Sequence, residues 1–273
     1  MLNNVDELSA KKIFDEFSCR IDKSLGQNFL FDEKINQKIV LAAGDLSGKV
    51  VTEVGPGPGG LTLEILKQDI KKMYIIELDR HWSSVWKNLG SLFFPKLEII
   101  ECDALLCDFK KINPDIIISN LPYNISTELL VKWLKELDYY EKLVLMFQKE
   151  VADRLCAVPS TKSYGRLSVF AQCQSQIEKV FDLEPGSFFP RPKVKSSVVK
   201  FSPKLKKIDD ILQFSRFITA AFAHRRKTVI KPMSVFFSNP EHVLQKLGYN
   251  KNTRAEEISV EDYTKLYLMR NVF

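Results

Sequence analysis

From Lys49 onward, short apolar runs alternate with amphipathic stretches, the pattern of a parallel sheet with helices packed on it. The runs are Val50 to Val54, Met73 to Ile76, Leu97 to Ile100, Ile116 to Ser119 and Leu143 to Phe147. Five such strands in order predict a doubly wound α/β domain. Helical spacing is found between them at Leu61 to Gln68, His81 to Leu89 and Ser126 to Leu137. Two later β-rich runs, Ile177 to Phe181 and Ser196 to Phe201, are expected to form an antiparallel hairpin closing the sheet, which makes seven strands.

Between that last pair lies Glu184 to Pro192, with Pro185, Gly186, Pro190 and Pro192. Proline lacks the N–H and fixes its own φ, so this stretch reads as a shaped loop and not as a helix or central strand. After Pro203 the apolar spacing turns helical, at Ile211 to Ala223, Val243 to Leu247 and Val260 to Met269. The expected organisation is therefore an α/β domain over 1–204 and a small all-helical domain over 205–273.

Composition narrows the classes. The chain has 273 residues, 45% of them hydrophobic, enough for one substantial core and a smaller appended unit. No run approaches the ~20 apolar residues of a membrane span, and an N-terminal stretch holding Asp6 and Glu7 resembles neither a secretory signal nor an acid-poor transit peptide. A soluble, cytoplasmic protein is expected. Five cysteines without a CxxC pair, and three histidines scattered far from them, argue against a zinc site or a disulfide framework. Net charge is +6, but Ser187 to Phe273 holds 17 Lys and Arg against 7 Asp and Glu, or +10, leaving −4 for the rest. Such asymmetry suggests a polyanion partner, although a solvated face gives the same count.

Candidate chemistry begins at Glu53-Val54-Gly55-Pro56-Gly57-Pro58-Gly59-Gly60, directly after the first strand. Glycines let the backbone turn sharply and approach a ligand, and the following helix supplies N–H groups. No Gly-Lys-Ser/Thr follows, so a Walker A loop is excluded. Glu77 ends the second strand, where an acid in such folds hydrogen-bonds ribose hydroxyls; Asp79 nearby is an alternative helix cap. Asp103 follows the third strand at the same edge. Together they suit an adenosine-bearing cofactor, and by themselves do not choose between a nicotinamide and a methyl donor.

Asn120-Leu121-Pro122-Tyr123, after the strand Ile116 to Ser119, bears on that choice. Adenine N6 is a poor nucleophile because its lone pair is delocalised into the ring. The Asn120 side-chain oxygen and the Leu121 carbonyl are suited to hold the amino hydrogens, Pro122 stiffens the turn, and Tyr123 offers a face for an extruded base. A sulfonium is an excellent leaving group, so positioning and electrostatics suffice, without a metal or covalent nucleophile.

These motifs, with Ser24-Leu25-Gly26-Gln27-Asn28-Phe29-Leu30, the loop Pro185 to Val199 and Ala221 to Thr228, resemble those of the rRNA adenine N6,N6-dimethyltransferases, nearly to the C-terminus. The resemblance implies a seven-stranded, Rossmann-like class I methyltransferase domain with S-adenosylmethionine as cofactor. It implies cofactor contacts at Asn28, Leu30, Gly55, Glu77, Asp103 and Asn120, with Glu77 at the ribose and Asp103 at the adenine. Phe188 falls where family members keep a loop aromatic near the target base. The implied substrate is a pair of adjacent adenosines in the hairpin near the 3′ end of small-subunit rRNA, within an immature small ribosomal subunit, methylated by a monomeric enzyme. Pro58-Gly59-Gly60, Lys195 and Ala223-His224 depart from the family's commoner residues.

Arg225, Arg226 and Lys227, with Lys193 and Lys195 upstream, are the expected RNA-backbone contacts, tracking phosphates without reading sequence. Duplex RNA hides its bases, so the target adenosines must lie in a loop or be flipped out. Three rivals remain at this level: a DNA adenine or protein glutamine methyltransferase, whose motif usually has proline at the position of Leu121; a non-catalytic RNA-binding protein on the same fold; and an NAD dehydrogenase, for which no catalytic His or Tyr-Lys pair presents itself.

Overall fold

Among the described residues the chain forms nine strands: β1 (Phe29–Leu30), β2 (Val50–Val54), β3 (Lys72–Glu77), β4 (Leu97–Glu101), β5 (Ile116–Ser119), β6 (Lys142–Gln148), β7 (Ser175–Leu183), β8 (Phe188–Phe189) and β9 (Ser196–Pro203). The computed structural model describes residues 8–17, 21–22, 25–93, 95–205, 208–224 and 227–270. Seven strands form one sheet in the order β4-β3-β2-β5-β6-β9-β7. The first five of that order run parallel, and β9 lies antiparallel to β6. Central strands sandwiched between helices are apolar on both faces, which is why they appear in the sequence as unbroken runs: Ile116, Ile117 and Ile118 are all buried.

The chain winds outward from β2 through β3 to β4, then returns to the other side of β2 to make β5 and β6. Where the direction reverses, the loops after β2 and β5 part and leave a crevice at the strands' carboxyl ends. The two strands are tied at that end by the Ser119 hydroxyl, which donates to the Val54 carbonyl at 2.6 Å.

The helix expected at Ser126 to Leu137 spans Tyr123–Lys135, beginning directly after Pro122. The one expected at Val243 to Leu247 is Pro240–Lys246, capped by Asn239, whose side chain accepts the His242 N–H at 3.0 Å. The proline loop between β7 and β9 also contains an element its composition conceals, since β8 pairs antiparallel with β1. Two residues are too few to show an alternation.

The chain divides into two units, 1–152 with 178–202, and 153–177 with 203–273. The excursion of 153–177 into the second unit carries no compositional mark. The second unit is helical, its core built on Phe214, Phe217, Tyr263 and Tyr267. Its buried tyrosine hydroxyls are satisfied locally: Tyr164 donates to the Ile258 carbonyl at 2.8 Å and Tyr263 to that of Ala255 at 2.7 Å.

Candidate active site

The crevice at the ends of β2 and β5 is a cleft enclosing about 160 Å³, walled by the glycine loop, the end of β3, the loop after β4 and the Asn120–Tyr123 turn. Its glycine loop lies on a floor of aromatic rings. Gly57 has φ of +52°, a left-handed value that favours glycine, and a Cβ there would meet the Phe29 ring at 2.7 Å. The Gly57 carbonyl accepts the indole N–H of buried Trp86 at 2.8 Å. Phe29 meets Trp82 edge to face at 5.6 Å. The loop is thus fixed from below by three rings, of which only Phe29 falls in a motif legible in the sequence. The advance signal of the two tryptophans was their i, i+4 spacing on one face of the helix Arg80–Gly90.

The Gly60 departure has a physical reason. A Cβ at position 60 would lie 2.7 Å from Asn36 Nδ2, and that nitrogen donates to the Leu30 carbonyl at 3.0 Å. Glycine at 60 makes room for a side chain that pins β1 at the edge of the cleft.

Two carboxylates of the cleft are buried. Glu53 accepts the Thr62 hydroxyl at 2.6 Å, yet burial pushes its carboxyl up to about 8, opposed by that hydrogen bond and helped by the charge of Glu77. Burial likewise raises Glu77 to about 7, against backbone N–H donors that favour the charged form and with Asp79 adding to the rise. Glu77 is not the helix cap: Asp79 accepts the His81 N–H at 2.9 Å and also the Gln27 amide at 2.8 Å. The Glu77 carboxylate takes the Asp79 N–H at 2.8 Å and stays in the cleft wall.

The Glu53 shift has a consequence for stability. Its folded value stands above its unfolded value near 4.5, so folding favours the protonated acid; the stability is fully present below pH 4.5 and is lost as pH rises through about 8. Glu53→Gln, which keeps the Thr62 bond, is expected to melt higher than the parent at pH 8 by a margin that shrinks toward pH 5. Thermal melts at the two pH values, without cofactor, check this; a margin independent of pH would contradict it.

Asp103 lines the cleft and caps its own turn, accepting the Leu105 N–H at 2.8 Å. Lys132 holds that loop from outside, donating to the carbonyls of Ala104, Leu105 and Cys107 at 3.2, 2.8 and 2.5 Å. Nothing in the sequence announces a lysine so far along the chain as a loop clamp. Asn120 donates through Nδ2 to the Asn28 carbonyl at 3.0 Å, and Asn28 donates to that of Gly26 at 2.9 Å. With its nitrogen so engaged, the acceptor Asn120 has to offer is Oδ1. Tyr123, at the start of its helix, shares a 2.5 Å hydrogen bond with the hydroxyl of buried Ser196, and burial raises its phenol.

Asn28, Leu30, Gly55, Glu77, Asp103, Asn120, Leu121, Pro122 and Tyr123 therefore wall one cleft. Phe188 does not join them. Neighbouring residues of a strand face opposite ways, and in β8 it is Phe188 that turns into the core, 5% exposed, while Phe189 is 48% exposed. Lys193 is exposed on the same loop, and Lys195 is paired with Glu184, which offsets the charge that the Lys195 departure adds. Lys227 is exposed in the second unit; Arg225 and Arg226 lie outside the described residues. Among the described residues no three His, Cys, Asp or Glu side chains are grouped to hold a metal ion, and no helix is long and apolar enough to cross a membrane.

A seven-stranded sheet in the order β4-β3-β2-β5-β6-β9-β7, with β9 antiparallel and a glycine loop after β2, is the architecture of the class I methyltransferases, and solved members superpose on it. More specifically, the chain belongs to the ribosomal RNA adenine dimethylase family, matching it over residues 19–271. It is 43% identical to ribosomal RNA small subunit methyltransferase A of Agrobacterium fabrum, over 89% of this chain and 91% of that one. The enzyme of the same name from Wolbachia pipientis is 40% identical, over 96% and 95%. A solved dimethyladenosine transferase from Plasmodium falciparum superposes with a TM-score of 0.77 at 29% identity, covering 88% of this chain and 96% of that one. The protein is accordingly a methyltransferase that uses S-adenosylmethionine, and the cleft suits that molecule: a glycine loop without side chains for close approach and a buried carboxylate for hydroxyl donors.

Proposed function

We propose that the enzyme transfers methyl groups to N6 of two adjacent adenosines in the hairpin near the 3′ end of small-subunit rRNA, giving N6,N6-dimethyladenosine during assembly of the subunit. The observation that carries the reading is the Asn120 amide, fixed by the Asn28 carbonyl so that Oδ1 is the acceptor left at the cleft. In the first transfer a target amino group there gives one hydrogen to Oδ1 and the other to the Leu121 carbonyl, which frees its lone pair for the methyl group; in the second the one remaining hydrogen is so held, and the proton displaced at each transfer passes to solvent. Tyr123 stacks against the base, its ring held by Ser196. Bound S-adenosylmethionine supplies an electrophilic methyl group on a good leaving group.

On this reading Glu77 binds the ribose hydroxyls and Asp103 the adenine of the donor, and Asn28, Leu30, Gly55 and Asn120 make further contacts to it. Lys193, Lys195, Arg225, Arg226 and Lys227 follow the phosphates of an immature small subunit, with the helical C-terminal domain contributing to the substrate side. The enzyme acts as a monomer, and a ribosomal substrate assigns it to the cytoplasm. The names of the relatives support the small subunit as target.

Incubation with labelled methyl donor and, in separate reactions, unmethylated small subunits, duplex DNA and a mixed protein fraction tests the assignment. Label is expected in small-subunit rRNA alone; label in DNA or protein in its place would overturn it.

A further inference from the structure

Beside the cleft, on the outer face of the β1–β8 pair, stands an aromatic group that the methyl-transfer chemistry does not use. Phe189 is the one exposed phenylalanine among the described residues, at 48%. It is no loose side chain: its ring meets Phe14 edge to face at 5.8 Å and Phe31 at 6.3 Å, and Phe14 in turn meets Phe31 at 5.4 Å and Phe29 at 5.8 Å. Through Phe29 the group continues to the floor of the glycine loop. Phe189 thus has one side packed on fixed rings and the other open to solvent, so little freedom is lost when something covers it.

Its surroundings select the covering group. Arg191 and Lys193 follow on the same loop, both exposed, and the Lys11 ammonium lies 5.6 Å and 5.9 Å from the Phe14 and Phe31 ring centres. A rigid aromatic face among cations is the arrangement by which proteins hold unpaired nucleotides, the base stacking on the ring and the phosphate meeting the charge. Lys11 is already paired with Asp15 at 2.6 Å, and a protein partner's apolar surface would leave the exposed Arg191 and Lys193 without anions.

We infer that Phe189, backed by Phe14 and Phe31, is a stacking platform for an unpaired nucleotide of the RNA substrate that flanks the nucleotide being methylated. This rests on the reading of the enzyme as an RNA methyltransferase. Every base has a π face, so the platform holds the strand without choosing its sequence.

The test compares Phe189→Leu and Phe189→Trp with the parent for affinity to unmethylated small subunits, for affinity to S-adenosylhomocysteine, and for melting temperature. Phe189→Leu is expected to bind the particle about tenfold more weakly. The slope of log affinity against log salt should not change, since no phosphate contact is lost. Phe189→Trp should restore binding, and cofactor affinity and melting temperature should match the parent in both. Particle affinity unchanged in Phe189→Leu would overturn the inference, as would a parallel fall in cofactor affinity and melting temperature, which marks a packing role. If the parent itself fails to bind the particle, the RNA-methyltransferase reading falls as well.

Discussion

Asn120→Ala will lower single-turnover methyl transfer by ~10²-fold or more while the protein stays folded and still binds the small subunit, because one oriented polar contact to the reacting amino group is removed from the transition state. Part of the effect will reach cofactor affinity, since the Asn120 amide also ties the turn to the Asn28 backbone at the cleft wall. Tyr123 supplies the control. If its ring is needed as a face, Tyr123→Ala slows turnover strongly and Tyr123→Phe keeps most of the rate. The phenol's bond to Ser196 makes this a demanding comparison, because Phe leaves the buried Ser196 hydroxyl without that partner. A modest loss of stability in Tyr123→Phe is therefore expected alongside near-parent rates. Single-turnover assays at saturating cofactor, on unmethylated and N6-monomethylated particles, measure both additions. Near-parent rates in Asn120→Ala, or equal losses in Tyr123→Phe and Tyr123→Ala, would contradict the mechanism.

Glu77→Ala is expected to weaken cofactor binding by on the order of 1–3 kcal/mol, as two ribose hydroxyls lose a charged acceptor in a buried wall. The raised acid adds a pH signature. Burial brings Glu77 to about 7 in the protein without cofactor, whereas hydroxyl donors favour the carboxylate. Binding below pH 7 must first remove a proton, so affinity should fall as pH drops through 7 and level off above it. Glu77→Gln should bind weakly with that dependence removed. Calorimetric titrations with S-adenosylhomocysteine between pH 5.5 and 8.5 test both statements. Unchanged affinity in Glu77→Ala would remove the residue from the site, and a flat profile in the parent would mean that Glu77 is charged throughout.

The sheet was readable in the sequence because its central strands are buried on both faces and so appear as unbroken apolar runs such as Ile116–Ser119. Gly55, Glu77, Asp103 and Asn120 were readable for a related reason: each lies at or just beyond the carboxyl end of a strand, and strand ends in this topology converge. What holds them in place was not. Trp86 reaches the Gly57 carbonyl from 29 residues away and Asn120 reaches the Asn28 carbonyl across 92, contacts that exist only after folding. Lys132 belongs to the same group, an ordinary lysine in a helix until the loop after β4 is brought against it. The fate of Phe188 and Phe189 turned on a two-residue strand whose facing is set by its partner β1, so sequence position alone pointed to the ring that is buried. Glu53 was visible as part of the glycine motif, but its raised pKa comes from burial, which spacing does not reveal.

The central claim, that this cleft builds N6,N6-dimethyladenosine in small-subunit rRNA, is tested most directly by mass analysis of nucleosides from unmethylated small subunits treated with the enzyme and S-adenosylmethionine. The prediction is dimethyladenosine at two adjacent positions of the hairpin near the 3′ end, with Asn120→Ala forming it ~10²-fold more slowly or worse. Methylation confined to another nucleoside, or adenosines carrying methyl groups elsewhere than N6, would contradict it.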